Sequence, residues 1–225
     1  DCVPNPNWIN GMVDYYTMHP DTDMLIGFSE TMLPENEKRF ALRFEHFDFH
    51  VLMFALAASV YSGKYFTCSG QNLSYKKSAF LKVGGFSKIM HLISGDDLHL
   101  MQLFRKNKLN IRFADSIDSY MKTQPVSSMH QLFNQRSRWA SNMKYMLISN
   151  PEFFIYLLSV FLLLTFIIPL LFLDTKIAIL IALIKISCDF IYIRKAYFCF
   201  DLKSRLASDF ISWTLFQPFY TLIVG

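Results

Sequence analysis

The chain has 225 residues, 52% of them hydrophobic and 16% aromatic, which is richer in apolar side chains than a soluble domain usually is and long enough for one large domain or two modest ones. A formal net charge of +4 from 22 basic and 18 acidic residues, with no long Lys/Arg block, excludes a nucleic-acid stripe, so no nucleic acid is expected as a partner. The 4 cysteines, Cys2, Cys68, Cys188 and Cys199, have neither the density of a disulfide framework nor the C-x-x-C spacing of a zinc site, which fits a reducing, cytoplasmic setting.

Charge is concentrated in residues 1–150, whereas long stretches after Pro151 have none. The sequence therefore divides into a soluble part, 1–150, and a membrane part, 151–225. The chain opens on a polar, proline-containing stretch without an initiator Met and stops at Gly225 inside an apolar run, which reads as trimming at both ends.

Residues 23–28 have the composition of a short strand. Residues 35–61 read as a long helical region whose late part, 51–60, is almost wholly apolar but too short to span a bilayer. His46 and His50 stand four apart in it beside Glu45 and Asp48, yet Phe47 occupies the place where a metalloprotease helix needs Glu. These four are accordingly expected as solvated positions on an amphipathic helix. Residues 65–68 read as a second strand, ending at Ser69-Gly70-Gln71-Asn72, and the alternation of strands with helices implies an α/β layer.

Gly95-Asp96-Asp97 precedes a run with apolar residues three to four apart, the pattern of a helix. The acidic pair either caps that helix or does chemistry at its start. Ser128-Met-His-Gln131 matches a capping box, and Leu132, Phe133, Ala140, Met143 and Leu147 continue an apolar stripe, which predicts a helix over 128–148. At about 100° per residue, Gln135, Arg138 and Trp139 share a face and Arg136 lies to the side. The cluster reads as a ligand-binding face or, alternatively, as snorkelling arginines at a membrane surface.

Beyond Pro151, residues 153–173 form 21 uncharged positions, enough for a helix to cross the roughly 30 Å hydrocarbon core. A turn at Asp174-Thr175-Lys176 leads to a second apolar stretch, 177–193, and a third span is expected over 206–225. Arg194, Lys195, Lys203 and Arg205 after the second span place that side, and the soluble part with it, in the cytoplasm. Lys185 and Asp189 stand at i, i+4 inside the second span, either lining a polar path or neutralising each other.

Four blocks in this order resemble the membrane-bound family 2 glycosyltransferases, which include cellulose, chitin and hyaluronan synthases. Asp1-Cys2 followed by Pro4 and Trp8 is similar to the end of the family's D-x-D segment, and Cys68-Ser-Gly-Gln-Asn72 with Tyr75 and Lys77 to its acceptor-side G-x-N loop. Gly95-Asp96-Asp97 is similar to its E/D-D motif, with Asp96 where many relatives have Glu, and Gln135-Arg136-Ser137-Arg138-Trp139 to its Q-x-x-R-W motif. The resemblance covers nearly all of residues 1–150, and the ordered set is far more specific than any single block.

The resemblance implies an α/β fold: the C-terminal part of a GT-A type, Rossmann-like catalytic domain without its N-terminal nucleotide-binding half, followed by two or three transmembrane helices. It implies an integral membrane protein with its catalytic domain in the cytoplasm. The activity implied is inverting transfer of a sugar from a nucleotide-sugar donor, a UDP-sugar, to a polysaccharide or glycolipid acceptor, with membrane lipid as a further partner. Asp97 would be the general base and Asp96 its neighbour in the catalytic pair. Gln135, Arg136 and Arg138 would hold the donor diphosphate, Gly70, Asn72 and Trp139 the acceptor, and Asp1 a divalent Mg or Mn. Two other readings stay open: a non-catalytic membrane scaffold derived from this fold, and a metal-dependent phosphohydrolase with Asp96 and Asp97 as ligands.

Overall fold

A computed structural model of the chain describes residues 2–92, 94–141, 145–155, 158, 169–202 and 206–224. The chain forms two compact units, Asp1–Tyr145 and Met146–Gly225.

In the first unit the chain runs β1 (Cys2–Pro4), α1 (Trp8–Met18), β2 (Met24–Gly27), β3 (Ser29–Thr31), α2 (Phe40–Tyr61), β4 (Leu73–Tyr75), α3 (Lys77–Lys82), α4 (Asp96–Lys106), β5 (Ile111–Ala114), β6 (Met121–Thr123) and α5 (Met129–Ala140). The strands make two small sheets, ordered β1-β6-β3 and β4-β2-β5. In each, the central strand pairs antiparallel on one side and parallel on the other. β2 and β3 are separated by Phe28 alone, so the chain passes from one sheet to the other through a single residue that has no exposed surface.

Period-two alternation in β2 builds the layers. Leu25 packs with Met12 and Ala114 beneath Trp8, Tyr15 and Tyr16 of α1. Met24 and Ile26 point to the opposite side of the strand and are likewise fully buried. Phe28 carries the core toward α2, its ring 6.1 Å from Phe54 and 5.0 Å from Tyr120.

α2 begins at Phe40, five residues later than the apolar pattern predicts, because a turn closed by the Glu37 N–H on the Pro34 carbonyl at 3.0 Å occupies the preceding chain. It ends in a Schellman motif, with Lys64 N–H on the Ser59 carbonyl at 2.8 Å, Gly63 N–H on the Val60 carbonyl at 3.0 Å, and Gly63 at φ 69°. The predicted strand over 65–68 does not form. Tyr65 sits at φ 55°, outside the extended region a ladder requires, and the strand appears instead at β4.

Glu45, His46, Asp48 and His50 are not solvated as expected: all four are buried. Phe44, Phe47 and Phe49 are buried as well, so α2 has no water-facing side over 44–50, and its polar side chains lie inside together with its apolar ones. His46 Nδ1 lies 2.8 Å from Thr31 Oγ1 and 2.9 Å from the Thr31 carbonyl, while burial, with His46 alongside, holds the His50 imidazole well below the usual range.

In the second unit, α6 (Met146–Ser149), α7 (Thr175–Cys199) and α8 (Leu206–Val224) are described. Asp174 caps α7 by accepting from the Lys176 and Ile177 amides at 3.0 and 3.1 Å, and Phe190 meets Phe210 of α8 edge-on at 5.1 Å. Lys185 and Asp189 form the ion pair that their spacing predicts.

Two expectations are corrected here. The α/β class gives way to a mostly helical chain: strands of three or four residues form two small sheets, while α2, α7 and α8 alone run to 22, 25 and 19 residues. The transmembrane helices and the integral-membrane placement with a cytoplasmic domain are corrected too, since among the described residues no helix is long and apolar enough to cross a membrane. α7 has the length but carries Lys185 and Asp189 in its middle and Arg194 and Lys195 toward its end, and α8 carries Asp209, Gln217 and Pro218. Most of the expected span over 153–173 lies outside the described residues.

Candidate active site

Asp97 stands in the first turn of α4, which starts from Gly95 at φ 75°. The helix cap is thus a glycine in a left-handed conformation that suits it, and the acidic pair occupies the first helical positions. The two carboxyls diverge, as consecutive helical positions must. Asp96 is exposed, whereas Asp97 is half-buried and turned to the loop at Gly70. The Gly70 N–H donates to Asp97 Oδ2 at 2.6 Å and the Leu98 N–H donates to Oδ1 at 2.7 Å. Burial raises the Asp97 carboxyl above the ordinary carboxylate range, the two amides pull it back, and the Asp96 charge adds to the rise. Cys68, two residues before Gly70, has its thiol pushed well up by burial and by the Asp97 charge.

The loop at Gly70 is placed from beneath by Asn72, which is fully buried. Its amide nitrogen donates to the Phe28 carbonyl at 2.8 Å and the Ser119 carbonyl at 2.7 Å, and its oxygen accepts from the Trp8 indole at 2.9 Å. Gly27 makes room for this: a Cβ there would collide with the Asn72 amide. A Cβ on Gly70 would lie 3.2 Å from Asp97 Oδ2, so the bare backbone allows the close approach. Gly70 is therefore next to Asp97, and Asn72 supports the loop from the core.

The Q-R-x-R-W helix is α5. Ser128 Oγ accepts from the Gln131 amide at 3.2 Å, and Gln131 Oε1 accepts from the Ser127 N–H at 2.6 Å and the Ser127 hydroxyl at 2.8 Å, one residue earlier than a standard box would have it. The end of α5 reaches the acidic loop: Ser94 Oγ, three residues before Asp97, donates to the Arg138 carbonyl at 2.9 Å and meets Ser141 Oγ at 3.1 Å. The Gly70 loop, the Asp97 turn and the C-terminal end of α5 are thereby joined.

The cations of the motif separate. Arg138 is exposed. Arg136 is 6% exposed and pairs with Asp48 of α2 at 3.1 Å, with a further contact of 3.4 Å to Gln135 Oε1. Its guanidinium carbon lies 4.2 Å from the centre of the half-buried Trp139 ring and 6.0 Å from that of Phe49. Glu45, one turn before Asp48, is 2% exposed, and burial raises its carboxyl to about 7, opposed by Arg136 and reinforced by Asp48. Sequence reasoning missed Asp48, Glu45 and Ser94. The local pattern around the first two reads as a wet face, and it is their long-range partners, Thr31 and Arg136, that account for their burial.

The metal expectation rested on Asp1, which lies outside the described residues. Among the described residues no group of three or more His, Cys, Asp or Glu side chains could hold a metal ion.

A family model described as glycosyl transferase family group 2 matches residues 1–201 of the chain. No curated protein matches it.

Proposed function

The chain belongs to glycosyl transferase family group 2, and from that premise we propose that it moves a sugar from a UDP-sugar to the hydroxyl of a glycan or glycolipid acceptor with inversion, Asp97 serving as general base. The observation that carries this reading is the Asp97 carboxylate, half-buried and fixed by the Gly70 and Leu98 amides at the point where the Gly70 loop, the α4 turn and the end of α5 meet.

Sugar transfer requires a base to take the acceptor hydroxyl proton and cationic donors to stabilise charge on the departing diphosphate. Asp97, lifted by burial and aimed by two amides, suits the first task. Asp96 is exposed and points away, so one base is available, which favours single displacement over a route that needs a placed nucleophile. Arg138, exposed on the same helix end that Ser94 ties to the acidic turn, and Gln135 suit the diphosphate. Trp139 offers an aromatic face and Gly70 a bare backbone to the acceptor sugar, with Asn72 holding the loop. No step is routed through a metal.

Asp97→Asn tests the reading. In the full-length protein it is expected to slow transfer of labelled sugar from a UDP donor on the order of a thousandfold. An asparagine retains one acceptor oxygen but presents an NH2 to the other amide, so stability is expected to fall by only about 1–2 kcal/mol in thermal unfolding. Transfer at the parental rate would remove Asp97 from the mechanism.

A further inference from the structure

Arg136 is the one motif cation that the fold buries, and its partner Asp48 is assigned nothing by the reading above. We propose that Asp48 and Arg136 form a positioning couple for Trp139: the guanidinium, fixed by Asp48 across the α2–α5 interface, is a strut beneath the indole and not a ligand of the donor's phosphates. The proposal rests on the acceptor role given to Trp139.

Three observations converge on it. The guanidinium is planar, and its carbon sits 4.2 Å from the Trp139 ring centre, the stacking distance at which a cation is held over an aromatic face. Its nitrogens are spent sideways, one on Asp48 Oδ2 at 3.1 Å and one toward Gln135 Oε1 at 3.4 Å. Asp48 and Arg136 are both nearly sealed from water, with side chains 8% and 6% exposed, so neither can turn to a soluble phosphate without leaving a buried charge unpaired. Phe49, on the residue after Asp48, closes the far edge with its ring 6.5 Å from Trp139. One indole face is therefore occupied by the strut, and since the ring remains half-exposed, the opposite face is the one a sugar meets. Glu45, one turn before Asp48, is buried beside the couple, and burial raises its carboxyl to about 7 against the pull of Arg136.

The test uses Asp48→Asn, Arg136→Met and Arg136→Lys in the full-length protein, with UDP binding by calorimetry and the near-UV circular dichroism of Trp139, obtained as the difference from Trp139→Phe. Arg136→Lys keeps the charge opposite Asp48 but has no flat face, which separates strut from simple charge and gives a second variant should Asp48→Asn not fold. The expected result is UDP affinity within about twofold of the parent in all three and loss of the Trp139 band in all three. The Asp48→Asn/Arg136→Met pair should be no worse than Arg136→Met alone, as befits two residues acting as a unit. About tenfold weaker UDP binding in Arg136→Met would make Arg136 a phosphate ligand and overturn the proposal, as would a parental Trp139 band in Arg136→Met or Arg136→Lys. Absence of sugar transfer by the parent would sink the proposed function instead, while the Trp139 band would still decide the strut.

Discussion

Glu45 shows what a single buried acid does to the molecule. Its carboxyl is raised to about 7 against an ordinary 4.5, because burial disfavours the charged form more than Arg136 favours it. Below the ordinary value the folded and unfolded chains both hold the proton and the residue is neutral to stability. Between about 4.5 and 7 the unfolded chain releases it and the folded chain does not, so stability falls as pH rises through that window. At about 1.36 kcal/mol per pKa unit the full cost above pH 7 is on the order of 3 kcal/mol. Glu45→Gln is expected to recover much of this at pH 8 and nothing at pH 4, read as the difference in denaturation midpoint between the two pH values. A parental pH slope in the variant would place the cost elsewhere. Asp97 is raised in the same sense, so the acidic limb of the pH–rate profile is expected above the usual carboxylate range, and its amides keep the displacement smaller.

Elements differ in how openly the sequence announces them. α5 was legible because its start is local chemistry: Ser128 and Gln131 satisfy the first-turn amides regardless of what packs above. Ser128→Ala is expected to cost about 1 kcal/mol in thermal unfolding without altering UDP binding. A larger loss would mean that the cap also holds β6 to α5. The helix at Asp97 was equally plain, and so was the short strand at β2. α2 was legible in length and illegible in orientation. Its Glu, His and Asp residues look like a wet face to any rule that equates charge with solvent, and only long-range partners, Thr31 and Arg136, explain why they are inside. The strand expected over 65–68 failed for a related reason, since the Schellman turn and Tyr65 at φ 55° divert the chain before it can pair. The second and third membrane spans were inferred from apolar stretches in spite of the charges within them, and Lys185, Asp189 and the polar positions of α8 leave neither helix apolar enough to cross, while most of the first span lies outside the described residues.

At the scale of the molecule, the site depends on a few residues that join distant segments. Asn72 links β4's leading turn, the Phe28 crossing between sheets, the turn at Ser119 and α1 through Trp8, segments spread across the first unit. Removing it would take the Asn72 partner from the Ser119 carbonyl and the Trp8 indole N–H, while the Phe28 carbonyl keeps the Met121 amide at 3.0 Å. Asn72→Ala is expected to cost on the order of 3 kcal/mol or more and to lower the unfolding midpoint of the first unit. If the variant is as stable as the parent, the Gly70 loop is held by something else. The proximity of Asp97 to Gly70 and of Ser94 to Arg138 was not readable from spacing, because it spans 27 and 44 positions of chain. Resemblance supplied the parts, and the packing of Asn72 and Ser94 supplied their convergence.

The amide of Gly70 has a stereochemical effect of its own. A carboxylate oxygen has two lone pairs, and here one on each oxygen is already engaged by main-chain N–H groups, Gly70 on Oδ2 and Leu98 on Oδ1. An incoming alcohol is left with the remaining pair and therefore with a restricted bearing toward the base. Regiochemistry at the acceptor is in this way encoded in peptide geometry, so exchanging the side chains of Ser69 or Gln71 should leave the linkage formed unaltered, whereas lengthening that loop by one residue should scramble it.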